Sequence, residues 1–182
     1  IHANELPGAM ALHHLMPMLA AADKGGRITG EVVVVPTVNP IGLAQLVGGN
    51  HLGRYDFLGR DNFNRNWLDL SGAVAERVGA SLARNAGENV AMIRKAALAA
   101  LARMRPVNEL QTLRVEALKL SIDADIALDL HCDLEAVLHL FISRQDWPGP
   151  ARALAADIGA AATLYNDPFP ETLTFSGVNS AL

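Results

Sequence analysis

The sequence predicts an α/β fold with a mainly parallel sheet, and three observations carry that prediction. Helix-period and strand-type stretches alternate along the chain. The run EVVVV at 31–35 is β-branched and near-continuously apolar rather than alternating, as in strands buried on both faces. Half of the residues, 51%, are hydrophobic, so 182 residues can bury a substantial core within a single domain.

The elements follow in order. ELPGAMALHHLMPMLAAAD has apolar residues in helical spacing, with Pro7 tolerated in a first turn where its missing N–H would be unbonded anyway, so a helix is expected from about Glu5 to Ala22. Lys24-Gly25-Gly26 ends it, and EVVVV at 31–35 reads as a buried parallel strand. Residues 36–66 are rich in Gly, Asn and Pro without a sustained period and read as a long loop of the kind that carries function. Ser71 is expected to cap a helix running toward Ala86, Gly87 to interrupt it, and a second helix to run on to Arg105 before Pro106. A further helix covers Asn108 to Ser121. DIALDL at 125–130 and AVLHLFI at 136–142 read as strands flanking a turn with His131, Cys132 and Asp133; Ala151 to Ala161 is a helix and Ala162 to Tyr165 a last strand.

Composition narrows the function. A formal charge of -4 supplies no basic field for nucleic acid. A single cysteine, Cys132, excludes an internal disulfide or a multi-cysteine zinc site and is compatible with a reducing compartment, so the cytoplasm is the expected location. No run reaches the roughly 18 to 20 apolar residues that span a bilayer, and the first residues lack the pattern of a signal peptide, so no membrane partner is expected. Ile1 is not a natural start, and FSGVNSAL stops without an element that could close the fold. The expectation is one catalytic-type domain over 1–182, a fragment of a longer chain and incomplete at both ends.

The first residues, IHANELPGAM, place His2 and Glu5 three apart just ahead of a helix. Such pairs are common on helix surfaces, and alone this one is weak. His131 directly follows DIALDL, at the carboxyl edge of an expected strand, where sheets of this class gather ligands. Two imidazoles and a carboxylate are the protein ligands of a catalytic zinc with its fourth position left for water.

IHANELPG at 1–8, NPIG at 39–42, GRDNFNRNW at 59–67 and LDLHCD at 128–133 occur in the order seen in the zinc carboxypeptidase superfamily, and most resemble its succinylglutamate desuccinylase/aspartoacylase branch. The resemblance covers roughly residues 1–142. It implies a three-layer α/β fold, its mainly parallel or mixed sheet flanked by helices, and a Zn2+ ion held by His2, Glu5 and His131. It further implies that Asn64 and Arg65 bind a substrate carboxylate through the two-pronged guanidinium. It implies as well that an arginine shortly before that pair stabilises the oxyanion, with Arg54 preferred over Arg60. The implied activity is deacylation of a small N-acyl amino acid, with a peptide-trimming carboxypeptidase and a non-catalytic binding module as alternatives.

Two positions depart from the family's pattern. Many relatives carry an aspartate two residues before the Asn-Arg pair as outer partner of the first zinc histidine; here it is Asn62, which still accepts an N–H bond but makes the imidazole less basic. Asp129, two before His131 and on the same face of a strand, can take over or reinforce that outer shell. The family's general base is a glutamate well downstream of the last zinc histidine, expected beyond Leu182. Asp157, Asp167 and Glu171, the acids after Trp147, match no family pattern.

Other residues read more plainly. His13 and His14 suit a helix surface, His51 a loop near the expected pocket, His139 a satisfied interior or edge position, Trp67 a wall of the core, and Cys132 a packed, inert thiol on the face opposite His131.

Overall fold

A computed structural model describes residues 1–144, 149–165 and 173–182. Asp167 and Glu171 lie outside the described residues. The fold is mixed α/β, and the chain divides into two compact units, 1–64 with 129–132, and 65–128 with 133–182.

The first unit opens with α1 (Pro7–Lys24), which has Pro7 at its first position, Lys24 in the last turn where a cation suits the helix dipole, and Gly25 closing it by an N–H bond to the Ala21 carbonyl. α2 (Pro40–Leu43) is a single turn capped by Asn39, whose side chain accepts from the Gly42 N–H at 2.8 Å. β1 (Leu46–Val47) and β2 (Asn50–His51) form an antiparallel hairpin. The following loop folds back on itself: Asp56 N–H donates to the Asp61 carbonyl at 2.8 Å, Phe63 N–H to the Arg54 carbonyl at 3.1 Å, and Tyr55 bridges Asn62. Gln45 pins it from outside, donating to the Tyr55 carbonyl and accepting from Phe57 N–H. The fully buried Phe63 anchors its end.

The second unit is mainly helical. α3 (Ser71–Val78) runs into a 3-10 turn, Gly79–Ser81; α4 (Ala86–Arg103) is capped by Asn85 and α5 (Glu109–Asp123) by Asn108. Leu70, Val74, Leu101 and Leu118 form its core with Trp67. β3 (His139–Ile142) and β4 (Ala162–Tyr165) pair in parallel, His139 opposite Ala162, with α6 (Pro150–Asp157) between them in sequence. α7 (Phe175–Ala181) is capped by Thr174.

Several local expectations change. Neither Glu31–Val35 nor Asp125–Leu130 is a strand. β-branching favours extended backbone, but a strand exists only where a neighbour supplies ladder hydrogen bonds, and no described residue does so for either run. Val32 and Val33 are exposed accordingly. The strand expected from Ala136 begins only at His139, while Ala162–Tyr165 forms as read. Ser71 is the first helical residue rather than the cap, because Asp69 takes both its N–H and its hydroxyl at 2.9 and 2.6 Å. Gly87 lies in the first turn of α4 instead of breaking a helix, and the segment at 175–181 is helical.

Candidate metal centre

His2, Glu5, Arg54, Asn62, Asn64, Asp129 and His131 belong to the first unit. His2 and Glu5 sit on the tight turn before α1, where Glu5 N–H donates to the His2 carbonyl at 3.2 Å. Two neighbours hold that turn. Asn39, while capping α2, donates from Nδ2 to the Ile1 carbonyl at 2.9 Å, and Ala3 N–H donates to the Gly53 carbonyl at 2.9 Å. The second contact requires glycine: a Cβ on Gly53 would stand 2.6 Å from the Asn4 nitrogen and 2.8 Å from the Ala3 Cβ. Gly8, in the first turn of α1, likewise lets the segment bearing His131 approach, since its Cβ would meet that of Leu130 at 3.0 Å.

The fold brings His2, Glu5 and His131 together, one ligand atom from each lying within 4.8 Å of the others. Glu5 is the hub. Its Oε1 faces His2 Nδ1 at 2.9 Å and accepts from Arg54 Nη1 at 3.2 Å; its Oε2 faces His131 Nδ1 at 2.7 Å and accepts from Cys132 N–H at 3.0 Å. Both imidazoles therefore turn Nδ1 inward. Both turn Nε2 outward to a partner, His2 to Asn62 Oδ1 and His131 to Asp129 Oδ2, each at 2.8 Å. Asp129 Oδ1 also accepts from the Ile1 nitrogen at 2.9 Å.

The donor set fits a cation. Asn62 Oδ1 accepts from the Asn64 backbone N–H at 2.8 Å, which can only donate, so that atom is the amide oxygen and His2 must carry its proton on Nε2. Burial pushes His2 below its ordinary pKa, with the Asn62 hydrogen bond and the Glu5 charge only partly opposing it. A neutral ring protonated on Nε2 then points the Nδ1 lone pair at a carboxylate oxygen, an acceptor facing an acceptor, which a positive ion between them would satisfy. Burial pushes the Glu5 carboxyl up, but the Cys132 N–H and the two imidazoles outweigh it and hold the group below its usual range. His131 is raised, first by its hydrogen bond to Asp129 and then, against burial, by the Asp129 and Glu5 charges. Asp129, which burial would raise, is held low chiefly by its hydrogen bond to His131.

The other expected residues divide. Asn64 joins the centre, its Nδ2 3.3 Å from His131 Nε2. Arg65 follows it in the chain and belongs to the second unit. Arg54 reaches Glu5, whereas Arg60 sits at a positive φ of 54° and makes no such contact. Asp129 supports His131 rather than His2, because residues two apart on one stretch of backbone share a side. His51 Nε2 lies 3.0 Å from the Gly42 carbonyl oxygen, and His139 is satisfied by the Val137 carbonyl and Asp133. Trp67 is core, its ring edge-on to Phe175. Cys132 is exposed rather than packed, since its segment joins no sheet that would cover the opposite face. Asn39 and Gly53 were not assigned a role from sequence; Asn39-Pro40, an N-cap signature, was the available signal.

Residues 1–179 match the catalytic domain described as succinylglutamate desuccinylase/aspartoacylase. The chain belongs to that family. Its members are hydrolases of the deacylase type, and the match runs well past residue 142, where the sequence motifs end. A crystal structure of a succinylglutamate desuccinylase/aspartoacylase family protein from Shewanella amazonensis SB2B superposes with a TM-score of 0.72 at 24% identity, covering 98% of this chain and 48% of that one. The likeness establishes the fold, and the chain spans about half the length of that relative. No curated protein matches it. Among the described residues, no helix is long and apolar enough to cross a membrane.

Proposed function

We propose that the chain carries the metal centre of a zinc-dependent hydrolase that cleaves the amide bond of a small N-acyl amino acid in the cytoplasm. The observation that carries this reading is the pair of inward Nδ1 atoms flanking Glu5, each ring held from behind through Nε2. Family membership supports the reaction class, and with it the three-layer arrangement of a mainly parallel or mixed sheet between helices.

In this reading His2, Glu5 and His131 hold Zn2+, which when bound supplies a Lewis acid that acidifies water and polarises a carbonyl. Asn62 and Asp129 fix the tautomers of the two imidazoles so that the ligating lone pairs stay inward. Glu5, already engaged with two rings, Arg54 and a backbone N–H, acts as ligand and not as the proton acceptor. Arg54, half-exposed beside Glu5, offers its remaining guanidinium N–H groups to the charge that develops on the acyl oxygen. Asn64 and Arg65, assigned by the motif, hold a carboxylate of the substrate. The test is metal analysis and turnover of N-acetyl and N-succinyl amino acids by the full-length protein and its His131→Ala variant. Loss of both bound zinc and deacylation in the variant is expected; undiminished turnover refutes the assignment.

A further inference from the structure

Arg114 is a charged residue on the buried face of α5, among Leu110, Leu113, Leu118 and Ile122, with only 6% of its surface exposed. A guanidinium so placed gives up hydration and is retained only where it makes strong hydrogen bonds. Its Nη2 donates to the main-chain carbonyl of Arg65 at 2.8 Å, across 49 positions of sequence. The next residue, Asn66, holds the left-handed conformation at φ 54°, and Trp67 N–H donates to the Leu173 carbonyl at 3.0 Å. The strained turn at Asn66 is thus bracketed by a charge-assisted bond before it and a backbone bond after it.

We propose that Arg114 is a positioning residue for Arg65: held inside α5, it fixes the peptide from which the substrate-clamping arginine projects. The inference rests on the proposed role of Arg65 in binding a substrate carboxylate. It deepens that reading by naming what orients the clamp. A neutral or shorter side chain at 114 frees the Arg65 carbonyl, lets the turn at Asn66 relax and disperses the direction of the Arg65 guanidinium.

The experiment is a double-mutant cycle in the full-length protein, with Arg114→Met, Arg65→Met, the pair, and Arg114→Lys as rescue. It reads kcat and KM on N-acyl amino acids and backbone hydrogen exchange at residues 66 and 67. The expected result is a KM raised about tenfold by Arg114→Met, with kcat changed less than about threefold. Arg114→Lys should recover most of the loss, no further effect should appear in the Arg65→Met background, and exchange at 66 and 67 should be faster. Additive effects of the two substitutions, or equal losses of kcat and thermal stability with KM unchanged, would overturn it and leave Arg114 a structural tie. If Arg114→Met does not fold, Arg114→Gln, a polar but neutral and shorter side chain, carries the same cycle. If the unaltered protein turns over no N-acyl amino acid, the functional reading fails separately, and the exchange comparison alone decides whether Arg114 holds the turn, unchanged exchange overturning it.

Discussion

Asn62 joins His2 to the backbone of Asn64 through one atom: its Oδ1 lies 2.8 Å from His2 Nε2 and 2.8 Å from the backbone nitrogen of Asn64, and accepts from both. Its neutral amide fixes the tautomer of the imidazole without adding charge to it.

Substituting Asn62 by leucine removes both acceptor contacts while keeping the volume. Zinc affinity is expected to fall about 10–100-fold, the usual effect of losing an outer partner, with Asn62→Asp matching or exceeding the unaltered protein. Competition with a chromophoric chelator measures it, and equal affinity for all three proteins would remove Asn62 from the centre.

The pH dependence of metal binding follows from the two opposed imidazole shifts. The His131 pKa is raised above 6.5 in the metal-free fold, so its stabilising contribution is complete below pH 6.5 and is lost as pH rises through the raised value. The His2 pKa is lowered from 6.5, so its contribution is present above pH 6.5 and is lost as pH falls toward the lowered value. An ion requires both Nδ1 lone pairs, so apparent zinc affinity should rise as pH climbs through the raised His131 value and that ring gives up its proton. Calorimetry in buffers of differing ionisation enthalpy would show that proton release, and its absence together with a flat profile would contradict the ligand set.

Metal removal should lower stability in a concentration-dependent way. At free zinc about 100 times the dissociation constant, linkage adds about 2.7 kcal/mol. The gain should vanish in Glu5→Gln, and a Tm that ignores both zinc and chelator would count against a native site.

Gly53→Ala tests the scaffold rather than the chemistry. Its new methyl would meet backbone at 2.6 Å, so the turn bearing His2 and Glu5 must shift, at a cost of about 1–3 kcal/mol by thermal denaturation. Zinc affinity should drop with it; an unaltered affinity would show that the turn is not what presents the ligands.

Much of this centre was legible in the sequence because its signals are local spacings of chemically distinctive residues. His2, Glu5 and His131 do converge, and Asn62 does stand behind His2. Asp129 was read as taking over or reinforcing the outer shell, and its carboxylate lies beside His131, two residues on. α1, α4 and α5 were read to within a few residues, since capping by Asn85 and Asn108 is a short-range event, whereas the helix expected to run toward Ala86 ends at Val78 and α7 was not expected. The runs 31–35 and 125–130 misled because a valine-rich stretch reports what its own backbone prefers, whereas a strand also needs a partner supplied from elsewhere in the chain. The exposure of Cys132 was hidden for the same reason.

The two imidazoles differ in shielding: the His2 side chain is 3% exposed and that of His131 38%. An ion seated between them would be shielded on the His2 side and open to water on the His131 side, so the hold of Asp129 on that outer ring is expected to set how long the ion stays. Weakening this grip should shorten metal residence before it abolishes uptake.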